Sequence, residues 1–251
     1  MGRRIGVAGR KGVVNGDRSR QQVSDAPRVE QLAALVRLSD LPADVEGRPA
    51  IGIADETLKP VGFKADGVFL ISGPPASGRT TAVATVIVAL ERAAPGLAPV
   101  LFGGRRSPLA GLGIWHQVAT DPADVAEAAA KLEQAAAAGG DGQRYAVVIE
   151  SITEFLSTAA DAPLAAMIKT LSRLGHVVIA EAETSALGGA WPLLNVVKSA
   201  RAGLALQPEQ GDGGLVYKTE FPRVRRSEFP PGRGLLVEGG HVRLLQVAIP
   251  E

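Results

Sequence analysis

Between residues 68 and 90 the chain passes from an apolar run, Val68, Phe69, Leu70 and Ile71, through a glycine-bearing loop into an alanine- and valine-rich stretch of helical character. The loop reads Gly73, Pro74, Pro75, Ala76, Ser77, Gly78, Arg79, Thr80, Thr81. Strand, glycine loop and helix in that order are the setting of a phosphate-binding loop. The two glycines stand at the G-x-x-x-x-G-K-[ST] spacing, with Arg79 in place of the lysine. Such a loop holds phosphate with backbone N–H groups aimed inward at a helix N-terminus, where the helix dipole also favours negative charge. Pro74 and Pro75 have no N–H, but they come early, and the amides of residues 76–80 remain available. The Thr80 hydroxyl stands where a Mg2+ ligand belongs beside nucleotide phosphates. Arg79 keeps the positive charge, yet a planar guanidinium does not replace the compact ammonium that reaches the outer phosphates.

Composition narrows the setting. At 251 residues, 46% of them apolar and 21% charged, the chain is long enough for one large α/β domain with its own core. Aromatic residues are only 4%, so that core is expected to be built from small aliphatic side chains. A net charge of +1 gives no global field for nucleic acid or a membrane surface. The absence of cysteine excludes disulfides, thiolate metal sites and cysteine nucleophiles, and agrees with a reducing compartment. No apolar run approaches the length of a membrane span, so a soluble, cytoplasmic chain without direct membrane insertion is expected.

Residues 1–27 carry six basic side chains among Gly, Ser, Gln and Asn with little apolar periodicity, and read as a flexible basic leader. Residues 28–251 read as the folded unit. Two short strands, 49–53 and 61–63, precede the loop strand. After the loop helix come strands at 98–102 and 114–119, a helix at 122–138 capped by Asp121, and the fully apolar strand 145–149. A helix at 164–174, a strand at 176–180, a helix at 192–199 and a strand at 202–206 follow, and residues 234–247 form a hairpin turned by Gly239 and Gly240. The alternation predicts a mostly parallel sheet covered by helices, closed by a C-terminal β-hairpin.

A nucleotide-hydrolysing site also needs an acid at the end of a neighbouring strand to order Mg2+, and usually a second acid to position water. The strand at 145–149 is followed by Glu150 and Ser151, so Glu150 takes the first position, while Ser151 cannot act as a base at neutral pH. Glu154, about one helical turn further, is expected to point elsewhere. Glu181 and Glu183 follow the strand at 176–180, where a polar contact to the terminal phosphate belongs; two carboxylates would repel it. Arg201, ahead of strand 202–206, is a candidate cation for a neighbouring subunit's phosphates. His116 beside Trp115 reads as a packing or surface pair, and Asp55 with Glu56 as a solvated turn.

The order of elements and three local strings resemble the FtsK/SpoIIIE family of P-loop motor domains, above all the tandem ATPase modules of the type VII secretion ATPases EccC and EssC. The strings are residues 49–61, residues 177–180, and Pro230-Pro231-Gly232-Arg233-Gly234-Leu235-Leu236-Val237. The resemblance implies a RecA-like P-loop NTPase core binding ATP and Mg2+ between ring subunits or tandem modules, and moving DNA or small helical secretion effectors. It implies that Gly73, Ala76, Ser77, Gly78, Arg79, Thr80 and Thr81 line the nucleotide phosphates, that Thr80 and Glu150 serve the metal, and that Glu150 and Arg201 are the catalytic positions. The departures are systematic: arginine for the loop lysine, Glu150-Ser151 for the paired acids, and Ala180-Glu181-Ala182-Glu183 for a glutamine-bearing sensor. The expectation is therefore an ATP-binding module with degenerate catalytic motifs and weak or absent hydrolysis. It would serve as a regulatory or substrate-docking domain, held at the inner face of the cell membrane through a larger protein. An ATP-driven DNA translocase and a nucleotide-free interaction module are the alternatives.

Overall fold

The computed structural model describes residues 31–139 and 142–250. The expected leader, residues 1–27, lies outside them. Eleven strands form one sheet: β1 (Asp44–Val45), β2 (Arg48–Ala54), β3 (Pro60–Gly62), β4 (Gly67–Gly73), β5 (Ala98–Phe102), β6 (Gln117–Ala119), β7 (Tyr145–Ile149), β8 (Val177–Glu183), β9 (Gly203–Leu206), β10 (Arg233–Glu238) and β11 (His241–Val247). Four helices of two turns or more accompany it: α1 (Arg79–Ala93), α2 (Pro122–Ala137), α3 (Asp161–Arg173) and α4 (Pro192–Ser199).

The spatial order is β1-β2-β11-β10-β9-β4-β8-β7-β5-β6, with β3 paired to β2. From β9 to β6 the neighbours are parallel; from β10 to β1 they are antiparallel. The loop strand β4 thus lies inside the parallel part, between β9 and β8, and β8 separates it from the acid-bearing β7. The fold is α/β with the expected hairpin, turned at Gly239 and Gly240 between β10 and β11.

Period-two alternation divides the sheet into two faces, each with its own core. Val68 and Leu70 of β4, Val147 and Ile149 of β7, and Val178 and Ala180 of β8 pack with α2, α3 and α4. Phe69 and Ile71, Ala146 and Val148, and Val177 and Ile179 pack under α1, whose Val83, Val86, Ile87 and Leu90 are fully buried or nearly so. By the same parity, Glu150 and Glu181 continue the α1 face. Thr85 fastens α1 to the chain end, its hydroxyl donating to Ala248 O at 2.6 Å from a buried position.

Two expectations need correction. The strand expected over residues 114–119 is confined to Gln117–Ala119, because Trp115 turns to donate its indole N–H to Leu109 O at 2.7 Å and belongs to the loop ahead of it. Strand β8 does not stop at Ala180: it pairs with β4 as far as Gly73 opposite Glu183, so both glutamates stand within the sheet.

Strands β9 and β4 meet where no side chain fits. A Cβ at Gly203 would lie 1.9 Å from Leu70 O. Gly203→Ala is therefore expected to lower stability by roughly 3 kcal/mol, since a packed backbone cannot yield. Urea unfolding reads the loss, and a change below about 0.5 kcal/mol, the size expected at an ordinary surface position, would contradict this close approach.

Candidate functional site

Strand β4 delivers the chain to Gly73, and the loop turns through two left-handed residues, Ala76 (φ 61) and Gly78 (φ 95), before α1 begins. Left-handed residues alternating with right-handed ones turn successive N–H groups to one side, forming an anion nest. The first bond into the helix is Ala82 N–H to Gly78 O at 2.9 Å. Ahead of it the amides of Gly78, Arg79, Thr80 and Thr81 have no backbone acceptor among the described residues, and no side chain caps the helix. Helix starts are normally capped by a side-chain oxygen. The loop thus keeps a cluster of donors open at the positive end of a fifteen-residue helix, the geometry that a phosphate group fits.

The loop is braced from outside by the segment before β10. Gly232 N–H donates to Ser77 O at 2.9 Å, and the Gly232 backbone lies against Gly78. Beside this contact is a mainly apolar cavity of about 430 Å3, walled by Leu35, Thr81, Ala82, Pro231, Val247 and Ile249 among others. Ser77 is buried, and its Oγ lacks a hydrogen-bond partner among the described residues. Thr80 is half-buried and Thr81 exposed.

Arg79 does not extend over the loop. Its guanidinium turns back toward the sheet: Nε lies 2.5 Å from Glu181 Oε1, and Nη1 donates to Gly73 O at 2.6 Å. The Glu181 side chain is 4% exposed and that of Arg79 21%, so the ion pair is largely withdrawn from water. The second Glu181 oxygen accepts the Ser151 N–H at 2.8 Å. One carboxylate therefore ties the first turn of α1 to the end of β7. Glu181, expected from the sequence to repel a phosphate, is instead the partner of Arg79.

Glu150 stands at the end of β7 with its N–H on Phe102 O at 2.8 Å. Its side chain is buried and Oε2 has no partner. Burial pushes its carboxyl above the usual glutamate range, the Ser107 hydroxyl pulls it back, and the charges of Glu181 and Glu154 raise it further. Glu154, expected to point elsewhere, is thus close enough to act on Glu150, because the short turn of 3-10 helix at Ile152–Phe155 folds it back beside Gly104. Ser151 holds a left-handed backbone (φ 49) and its amide is spent on Glu181.

The groups that could hold a hard cation are the Thr80 hydroxyl and the Glu150 carboxyl, whose buried Oε2 has no hydrogen-bond partner among the described residues. Among the described residues no group of three or more His, Cys, Asp or Glu gathers as a metal site, so waters and phosphate oxygens would complete any Mg2+ shell. Arg201 is not brought to this loop. It is exposed, left-handed (φ 52), and precedes β9 at the level where β4 begins, the opposite end of the sheet from Gly73. His116, Asp55 and Glu56 are exposed.

Two measurements check this geometry. Arg79→Ala would strand a buried carboxylate and is expected to cost roughly 3 kcal/mol in urea unfolding without any ligand present. Arg105→Ala, which breaks the exposed pair with Asp121, should cost far less. Equal small losses would mean that Arg79 is free. Glu150 binds its proton more tightly folded than unfolded, so its contribution to stability is full below the ordinary value of 4.5 and fades as pH rises through the raised folded value. Thermal midpoints of Glu150→Gln should lack that part of the decline above pH 4.5; parallel curves for the two proteins would contradict the buried carboxyl.

No protein-family model matches the chain, and no curated protein matches it. Solved structures do. The cytoplasmic domain of the Thermomonospora curvata type VII secretion ATPase EccC superposes with a TM-score of 0.72 at 21% identity over 90% of this chain and 29% of its own. ATPases 2 and 3 of the same EccC, in complex with a signal sequence peptide, give 0.74 at 22% identity over 90% of this chain and 45% of that one. ATPases 2 and 3 of EssC from Geobacillus thermodenitrificans give 0.68 at 20% identity over 88% and 46%. The chain therefore spans less than half the length of each. At this identity the likeness establishes architecture alone: the chain shares the α/β fold of the solved EccC and EssC ATPase domains.

Proposed function

We propose that this chain is a nucleotide-binding module that hydrolyses ATP slowly or not at all and acts as a regulatory or substrate-docking domain within a type VII secretion ATPase. The observation that carries the reading is the open row of amides at Gly78–Thr81 beside an apolar cavity, with the loop cation paired internally. The amides suit nucleotide phosphates and the cavity suits a flat base, so Gly73, Ala76, Ser77, Gly78, Thr80 and Thr81 are the proposed phosphate lining. Thr80 and Glu150 would hold Mg2+, which when bound would neutralise phosphate charge.

Hydrolysis lacks its other parts. In-line attack on a phosphoryl group needs an oriented water and cationic stabilisation of the charge that develops. Ser151 supplies no base, burial raises the Glu150 carboxyl above the usual glutamate range, and Arg79 is committed to Glu181. Arg201 could serve only another copy or module, given its distance from its own loop. The EccC structure with a signal sequence peptide supports peptide docking as the task of a module with this fold. A nucleotide-free interaction module is the second reading, favoured by the internal neutralisation of Arg79.

Calorimetric titration with Mg-ATP, with phosphate release followed on the same sample, separates these readings. Saturable binding with negligible release is the expected result. Sustained turnover would contradict the proposal and revive the ATP-driven DNA translocase. No binding would leave the interaction module. Thr80→Ala should weaken Mg2+-dependent affinity by about tenfold, the typical effect of losing one supporting polar contact at a metal site. An unchanged affinity would remove the Thr80 hydroxyl from the site.

A further inference from the structure

We infer that Glu181 sets which nucleotide this site takes: by holding Arg79 it makes the loop a receptor for nucleoside diphosphates in preference to triphosphates. The inference rests on the nucleotide-binding reading above and specifies its ligand.

The amides at Gly78–Thr81 sit at the start of α1 and require no side chain to bind anionic oxygens. A diphosphate seated on them is served by backbone donors alone. A third phosphate projects past the helix end, over the carboxyl ends of the strands beside β4, where ligands of open α/β sheets lie. The strand beside β4 on that side is β8, in register from Gly67 opposite Val177 to Gly73 opposite Glu183. Its Glu181 faces α1 with a side chain only 4% exposed. The third phosphate would thus bring negative charge toward this buried carboxylate.

The loop cation does not offset this. Arg79 would have to leave both Glu181 Oε1 at 2.5 Å and Gly73 O at 2.6 Å to reach a phosphate. Its departure would leave Glu181, with a side chain only 4% exposed, charged and without its counter-ion. A lysine at position 79 would meet the same carboxylate, so Glu181 rather than the arginine is the determinant.

The test is the ratio of ADP to ATP affinity, measured calorimetrically with the full chain in Mg2+. ADP is expected to bind about tenfold more tightly than ATP, within the usual range of such couplings. Glu181→Gln keeps the shape and an acceptor for Ser151 N–H while removing the charge that holds Arg79. It should raise ATP affinity by about tenfold and change ADP affinity less than about threefold. A residue with only a structural role would move both affinities together. The double substitution Arg79→Gln with Glu181→Gln, uncharged throughout, is the second variant; it too should lose the preference for ADP. ATP binding as tightly as ADP in the unmutated chain would overturn the inference while leaving the nucleotide-binding reading intact. An ADP preference that persists in the folded variants would overturn the assignment to Glu181. Failure of both nucleotides to bind would overturn the nucleotide-binding reading, and this inference with it.

Discussion

A carboxylate buried in a sheet must be neutralised, and in this protein the demand is met by the residue that the glycine spacing places where a phosphate-binding lysine belongs. Glu181 lies within β8, nearly closed off from water, and the Arg79 guanidinium is its counter-charge. Three elements are joined through this one group. Arg79 opens α1 and also holds the last carbonyl of β4, while the other Glu181 oxygen receives the amide that ends β7. The loop is thereby ordered from within: the Arg79 and Glu181 charges are matched and the start of α1 is pinned to the sheet.

On the nucleotide-binding reading proposed above, a phosphate at this loop would meet backbone donors and no mobile cation, because Arg79 is drawn inward. With Glu150 buried beside Glu181, its carboxyl loses some of its tendency to ionise. Ser151 could not accept a proton from water even if its backbone were free. The cavity beside the loop is independent of these changes. It is walled by Thr81 and Ala82 of α1 and by the segments before β10 and after β11.

Much of this was legible in the sequence, for identifiable reasons. The alternation of apolar strands and helices, the strand-loop-helix setting of Gly73–Thr81 and the Gly239-Gly240 hairpin are local signals, and each matched the sheet that forms. Glu150 could be assigned to a strand end because five apolar residues precede it. The Arg79–Glu181 pair was not legible, because it joins positions about a hundred residues apart, and the register of β8 on β4 decides that Glu181 faces α1. The sequence carries the cation at Arg79 and the acid at Glu181, and only the strand register joins them as one ion pair. Arg201 illustrates the converse, since its position ahead of β9 is local information but its distance from the loop is set by strand register.

The most direct test of the central claim is a crystal structure of the chain with ADP bound. The account predicts diphosphate oxygens on the amides at the start of α1, the base in the adjoining apolar cavity, and Arg79 still paired with Glu181. An Arg79 guanidinium swung onto the phosphates, with Glu181 released, would contradict it.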